Sequence, residues 1–299
     1  MQPNPVLKKL GLADTDRVAI IHTDDIGMCQ ASVTAYKDLW EFGIISSGST
    51  MVPCPWFLHT AKYCREHPEV DMGVHLTLTS EWETYRWGSL STRDPASGLL
   101  DEQGFFYHNT PLAQEHADSA AAITELNAQV ERAKAEGVRP THLDTHMGTV
   151  AHMKFIPGYV QMGFKYRAPI MMMRLDEAGW MRKGLDGLTA RVAANMVDQL
   201  EEARMPLLDQ ETGMNLDHSE DRLEQIKYAL DALPAGVTHF IIHPSADTPE
   251  LRAITPDWPC RVADYLAFQD ERLRQHIQST GLQVIGYRAL QNLMPAQTP

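Results

Sequence analysis

The chain has 299 residues, enough for one large domain or two modest ones and for a sizeable core that needs no cofactor or disulfide to fold. Its 39 acidic residues against 26 basic ones give a formal net charge of −13, so nucleic acid and anionic membrane surfaces are poor candidates for partners. No apolar run is long enough for a membrane span or a secretory signal. Composition therefore predicts a soluble, cytoplasmic enzyme or binding protein.

Short apolar, β-branched runs alternate along the chain with stretches of helical period, which is the pattern of βα units. The predicted strands are 17–23, 44–52, 70–76, 139–144, 169–174, 205–208, 238–242 and 282–285. The predicted helices, most of which stop at a glycine or before a proline, are 29–42, 56–66, 113–135, 219–233 and 262–279. This order predicts an α/β fold, a distorted, TIM-barrel-like (β/α) barrel of seven or eight parallel strands, in a single domain over 1–299.

The segment 80–110 follows neither period and is predicted to be a loop insertion. It carries six aromatic residues, Trp82, Tyr85, Trp87, Phe105, Phe106 and Tyr107. Long insertions in compact domains are usually functional loops or lids. Contact with substrate and packing on the surface, including at a homodimer interface, remain alternatives for this segment.

Polar side chains follow several predicted strands, at the end where a parallel barrel builds its active site. They are His22, Thr23, Asp24, Asp25, His75, His142, Asp144, His146, Arg174 and His243, and His239 lies four residues before His243 on the same face of its strand. Imidazoles and carboxylates together suit Zn, Fe, Ni, Co or Mn, and a set of three leaves positions open for water and substrate. Adjacent Asp24 and Asp25 can share one site only if the chain turns at Asp25, which the nearby Gly27 allows.

Four motifs occur in a recognisable order: HTDDIG at 22–27, GVHLTL at 73–78, PTHLDTH at 140–146 and IIHP at 241–244. Together they resemble the motifs of the YdjC-like carbohydrate deacetylase family, which includes chitooligosaccharide deacetylases and proteins assigned to hopanoid biosynthesis. The resemblance implies a distorted barrel that removes an acetyl group from an N-acetylated sugar or oligosaccharide. It also implies one divalent metal ion, Zn or Mg in the first place and Ni, Co or Mn as alternatives.

Carried over by position, the resemblance implies three metal ligands: Asp25, His75 and His146. It implies a general base, a general acid and an arginine beside the base, which are Asp24, His243 and Arg174, and it places His142 and Asp144 behind His146 to orient it. The chain departs from the family at His22, Thr23 and Ile26 and after His146. These departures concern the substrate pocket, so the substrate need not be a chitooligosaccharide.

Three tryptophans are candidates for stacking on sugar rings, because flat apolar sugar faces suit large aromatic surfaces: Trp82, Trp87 and Trp258. Two other functions remain open. One is a different metal-dependent barrel hydrolase or isomerase acting on another small polar substrate. The other is a non-catalytic sugar-binding protein whose metal site has decayed.

Overall fold

The computed structural model describes residues 2–296, in which seven strands form a parallel sheet. The strands are β1 (Arg17–Ile26), β2 (Ser47–Thr50), β3 (Met72–Leu76), β4 (Leu143–Thr145), β5 (Gln210–Gly213), β6 (Gly236–Ile242) and β7 (Gln283–Val284). The helices are α1 (Pro5–Lys9), α2 (Gln30–Phe42), α3 (Phe57–Glu66), α4 (Thr110–His116), α5 (Ser119–Ala135), α6 (Ile156–Tyr166), α7 (Glu177–Arg182), α8 (Gly187–Glu202), α9 (Arg222–Asp231), α10 (Pro249–Ile254), α11 (Trp258–Phe268), α12 (Glu271–Ser279) and α13 (Tyr287–Leu293). No helix within residues 2–296 is long and apolar enough to cross a membrane.

The strand order is β4-β3-β2-β1-β6-β5, with β7 paired to the start of β1. Between β4 and β5 the ring continues through two parallel bridges, from Leu143 to Ile170 and from Met173 to Leu208. The distorted (β/α) barrel predicted from the sequence is therefore confirmed.

Two of the predicted strands do not form regular strands, so these two predictions are wrong. The stretches 169–174 and 205–208 pair only through those bridges, and the strand in this part of the chain is β5, further along. Pro169 and Pro206 explain the irregularity, because proline has no N–H to donate to a neighbouring strand.

Two predicted helices are each broken in two. The range 113–135 contains the end of α4 and all of α5, and the range 262–279 contains the end of α11 and all of α12. An aspartate starts the second helix of each pair: the side chain of Asp118 accepts a hydrogen bond from Ala121 N, and that of Asp270 accepts one from Arg272 N. Such N-caps stop and restart a helix without disturbing the apolar period that predicts it. Six helices were not predicted: α1, α6, α7, α8, α10 and α13.

Side chains of β1 alternate between two apolar clusters. Val18 and Ile20 pack with Val6 and Leu7 of α1, whereas Ala19 and Ile21 pack in the larger cluster beneath the surrounding helices. Residues two apart on a strand share a face. The face that carries Val18 and Ile20 therefore continues to His22 and Asp24, which makes the barrel interior apolar at the amino end of β1 and polar at its carboxyl end.

Gly73 in β3 leaves room for the ring of His142. A Cβ at residue 73 would lie 2.4 Å from Cε1 of that ring, which stacks on Tyr287 at 3.8 Å and has no free space to move into. We expect Gly73→Ala to lower the free energy of unfolding by about 1–3 kcal/mol through overpacking. Urea denaturation measures the change.

Gly187→Ala is the matched control, because an added Cβ there meets no atom within 4 Å. This variant should show no loss of stability. Equal stability of the two alanine variants would mean that the ring of His142 is not held against β3 as described.

Candidate active site

The site lies at the carboxyl ends of four strands, where the sequence predicts it. Its side chains come from the end of β1, from β3, from β4 and the 3₁₀ turn that follows it, and from the residue after β6. They are Asp24, Asp25, His75, Asp144, His146 and His243, of which all but His243 are buried.

The backbone turns sharply at Asp25. Its φ is 60°, that of Gly27 is 90°, and the pairing of β1 with β2 slips between Thr23 and Ile26. A regular strand would point Asp24 and Asp25 in opposite directions. With the turn, Asp24 Oδ2 and Asp25 Oδ1 lie 3.7 and 3.5 Å from the same atom, His75 Nε2.

Asp25, His75 and His146 form a buried cluster whose potential ligand atoms all lie within 4.8 Å of one another. Asp25 Oδ1 lies 3.2 Å from His146 Nδ1 and 3.5 Å from His75 Nε2. Nevertheless it makes no hydrogen bond within the described chain. A buried carboxylate oxygen without a partner is unfavourable, and a cation between these three side chains would satisfy it. The three residues predicted as metal ligands therefore fit one metal ion.

A second group of potential ligands lies beside the first: His22, Asp24, Asp144 and His239. Within it, His22 Nδ1 is already 2.7 Å from Asp24 Oδ1, and His22 Nε2 is 2.8 Å from His142 Nε2. Because these atoms satisfy one another, the group containing Asp25 is the better candidate for the metal.

Arg261 holds the other oxygen of Asp25. Its Nη1 donates to Asp25 Oδ2 at 2.7 Å, and its Nε donates to Asp257 Oδ1 at 2.7 Å. Burial alone would raise the pKa of Asp25, but His146 and His75 together with the Arg261 guanidinium hold that pKa well below its usual value. Arg261 was not predicted, since nothing in the sequence links it to a residue 236 positions away.

The prediction that Arg174 lies beside Asp24 is wrong. Arg174 Nε donates to Glu201 Oε1 at 2.7 Å, and Nη1 donates to the carbonyl of Gln2 at 2.8 Å. Its Nη1 also lies 3.7 Å from Asp209, whose carboxylate accepts a hydrogen bond from Val237 N near the start of β6. The guanidinium thus points toward the amino ends of the strands, away from the site, because the irregular stretch 169–174 does not follow the register of a true strand.

Asp144 orients His75 rather than His146, contrary to the prediction. Nδ1 of His75 lies 3.0 Å from both Asp144 Oδ1 and Ser49 Oγ, and Ser49 donates to Asp144 Oδ2 at 2.7 Å. The reason is register: His75 and Asp144 are direct partners in the β3–β4 pairing. A carboxylate behind a ligating histidine fixes the orientation of its ring.

His146 has a different carboxylate partner, which the sequence did not reveal. Its Nε2 lies 3.1 Å from Glu81 Oε2, in the segment 80–110. Burial alone would lower the pKa of His146, but the carboxylates of Glu81 and Asp25 raise it to about 9. His142, the other predicted partner of His146, instead contacts His22.

A chain of hydrogen bonds runs from Asp24 into the barrel interior. Thr141 Oγ1 donates its one proton to Asp71 at 2.7 Å, so it accepts from His142 Nδ1 at 3.0 Å. Burial and the charge of His22 hold the pKa of His142 well below its usual value, so its Nε2 is the acceptor in the contact with His22. The other ring nitrogen of His22, Nδ1, lies 2.7 Å from Asp24 Oδ1, so His22 links His142 to Asp24.

The carboxylate of Asp24 stays ionised although it is buried. Burial alone would raise its pKa, but the charge of His75 and the hydrogen bond from His22 lower it. His243 Nε2 lies 3.9 Å from Asp24 Oδ2, and the backbone N of His243 donates to Asp264. Asp24 and His243 both line a cavity of about 600 Å³.

The segment 80–110 covers one side of the site through Glu81 and its tryptophans. The ring of Trp87 is only 3% exposed and its Nε1 donates to the carbonyl of Thr79, so it has no free face for a sugar; its prediction as a stacking residue is wrong. Trp82 is half-buried, 5.7 Å from the Arg261 guanidinium, and Trp258 packs against Arg252 at 4.4 Å. Neither of these two lines the cavity, and their stacking on sugar stays a prediction.

The fold and the site together define an α/β barrel with a candidate metal centre at the carboxyl ends of its strands. The family model described as YdjC-like protein matches residues 18–279, and the chain belongs to that family. The family predicted from the four motifs is thereby confirmed.

Similar proteins cover nearly the whole chain. A carbohydrate deacetylase of Thermus thermophilus is 32% identical over 274 residues, which is 90% of this chain and 92% of the relative. A carbohydrate deacetylase of Thermoanaerobacter pseudethanolicus is 23% identical and covers 91% of this chain and 98% of its own. The crystal structure of an Enterococcus faecalis protein described as a cellobiose-phosphate cleavage protein superposes with a TM-score of 0.74, at 19% identity, over 92% of this chain and 99% of that one.

Exchanging the two arginines for lysine tests which of them serves the metal site. Arg261→Lys keeps the charge but loses the fork that spans Asp25 and Asp257, so we expect Zn²⁺ affinity to fall about 10- to 100-fold. Arg174→Lys should leave the affinity within about twofold, since Arg174 contacts only residues remote from the cluster. Competition with a chromophoric chelator measures the Zn²⁺ affinity of both variants. Equal affinities of the two variants would show that Arg261 does not support the metal site.

Proposed function

We propose that this chain is a metal-dependent carbohydrate deacetylase that hydrolyses the amide bond of an N-acetylated sugar. The observation that carries the proposal is the position of an ionised carboxylate and an imidazole, Asp24 and His243, on one cavity directly beside the buried Asp25 cluster. Membership of the YdjC-like family and the carbohydrate deacetylases among its relatives support the same class of reaction.

Asp25, His75 and His146 would hold the metal ion. Two imidazoles and a carboxylate suit Zn²⁺ and leave coordination positions open, whereas Mg²⁺ prefers oxygen ligands; Ni, Co and Mn are the other candidates. When bound, the ion supplies Lewis acidity to the amide carbonyl and to the attacking water.

Asp24 acts as the general base. Its carboxylate is kept ionised by His22 and His75, and one of its oxygens faces His75 Nε2 beside the metal cluster. A water attacking the amide carbon there can pass its proton to Asp24.

His243 acts as the general acid. The amine that leaves on amide hydrolysis is too basic to depart without a proton, and His243 supplies it. The 3.9 Å between His243 Nε2 and Asp24 Oδ2 lets the acid and the base reach the same substrate amide.

Two neighbouring aspartates separate metal binding from proton transfer. In Asp25→Asn we expect near-stoichiometric bound metal to be lost together with activity, because the amide weakens the only carboxylate of the ligand set. In Asp24→Asn we expect the metal to stay while acetate release from N-acetylated amino sugars falls about 100-fold or more, since the base is gone. Elemental analysis and an acetate assay measure the two effects.

Circular dichroism of both variants provides the folding control. Loss of metal from folded Asp24→Asn would show that Asp24 also binds the metal, so that the roles of base and ligand are wrongly assigned to the two aspartates. A folded parent protein that takes up no divalent metal would overturn the proposed function.

Replacement of His243 tests the general acid. His243→Ala should slow hydrolysis of an N-acetyl amide about 100-fold, but hydrolysis of an activated aryl acetate only slightly, because a phenolate leaves without a proton. The exposed His218 offers the control, and His218→Ala should match the parent on both substrates. Equal losses on amide and ester in His243→Ala would exclude the acid role.

A further inference from the structure

The cavity beside Asp24 and His243 has a strongly apolar wall. Six of the 15 methionines of the chain line it: Met147, Met153, Met171, Met172, Met173 and Met196. Methionine side chains are flexible and polarisable, so a wall built from them adapts to apolar ligands of varied shape.

Helices α7 and α8 and the loop between them complete this wall with Trp180, Leu185 and Ala193. Besides Asp24 and His243, the polar side chains on the cavity are Thr145, His152, Thr189 and Glu211. A few polar groups in an apolar pocket are typical of sites that orient a largely apolar ligand.

The cavity is larger, and its wall is more apolar, than the binding of an N-acetyl sugar requires. A cavity of about 600 Å³ is the size of a pocket for a whole drug-sized ligand, far larger than an acetyl group. The hydroxyls of a sugar lose free energy when they are buried without hydrogen-bond partners, and thioethers and alkyl groups offer few. The chemistry of the wall therefore matches an alkyl or aryl group.

The rim of the cavity is also apolar. Met147 and Met153 are 47% and 42% exposed, and Met147 directly follows His146 with a left-handed φ of 52°. Exposed apolar side chains next to a catalytic site are expected where a ligand covers them.

We propose that the substrate is amphipathic: an N-acylated amino sugar whose alkyl or aryl group occupies the methionine-lined cavity. This inference rests on the proposed deacetylase function and adds the class of substrate. The apolar group is carried either on the sugar as an aglycone or on the nitrogen as a longer acyl chain, and the two sources are separated by experiment.

Two substrate series distinguish the sources. The first compares the methyl and octyl glycosides of N-acetylglucosamine, and the second compares the N-acetyl and N-octanoyl amides of one methyl glycoside. We expect kcat/KM to rise at least about tenfold with chain length in one series, because each buried methylene adds to binding. No rise in either series, with the methyl glycoside still deacetylated, would overturn the apolar site and leave the proposed function standing.

A matched pair of variants on α8 locates the effect. Ala193→Trp fills the cavity, whereas Val192→Trp adds the same side chain at a neighbouring position that is 46% exposed and outside the cavity. Ala193→Trp should abolish the advantage of the long chain, measured as the ratio of kcat/KM for the long-chain and short-chain substrates of the series that shows it, and Val192→Trp should preserve this ratio. An advantage that survives in folded Ala193→Trp would place the apolar group elsewhere.

Binding measured without turnover separates this inference from the proposed function. Octyl β-glucoside below its micelle concentration carries no amide, and calorimetry should show that it binds the parent at least about tenfold more tightly than Ala193→Trp. Binding of octyl β-glucoside without any deacetylation would support the cavity and overturn the deacetylase. Deacetylation of the methyl glycoside, with no octyl β-glucoside binding and no rise in either substrate series, would do the reverse.

Discussion

The left-handed backbone at Asp25 is the constraint on which the rest of the site depends. An L-residue in this conformation is disfavoured by about 1–2 kcal/mol, and here it interrupts a strand that is buried from Val18 to Ile26. The turn brings two consecutive carboxylates to one imidazole, His75. The surrounding contacts hold this conformation in place, and they include the buried ion pair of Asp25 with Arg261 at 2.7 Å.

The two adjacent buried acids share the stabilising effect of His75, and each also has a partner of its own. Asp25 is paired with Arg261 and leaves one oxygen for a cation, whereas Asp24 is held by His22 and a chain of hydrogen bonds that ends at Asp71. Arg261 does not contact Asp24, and His22 does not contact Asp25. The carboxylate that would bind metal and the one that would accept a proton can therefore keep different environments although they are adjacent in sequence.

Local patterns predicted most of the site, and long-range contacts account for what they missed. The alternation of residues along strands and the meeting of parallel strand ends at one edge placed Asp24, Asp25, His75 and His146 among the candidate residues. The resemblance to the YdjC-like family implied which of these candidates bind metal and which acts as the base. Register between neighbouring strands decides that Asp144 orients His75, and single-chain patterns do not contain that register. Arg261 and Glu81 approach from distant segments, so no spacing reveals them. The barrel was predictable from its βα alternation, but the prolines at 169 and 206 reduced two strands to bridges.

The residues proposed for the reaction and those that form the apolar wall come from different parts of the chain. The groups proposed for the reaction lie at the ends of β1, β3 and β4 and after β6, whereas most of the apolar wall of the cavity comes from the continuous stretch 147–196. Changes in that stretch can alter the shape of the cavity without touching Asp24, Asp25 or His75. Met147 is the exception: it follows His146 in the sequence and lines the cavity. Through this pair of residues the stretch that forms the wall is joined directly to a candidate metal ligand.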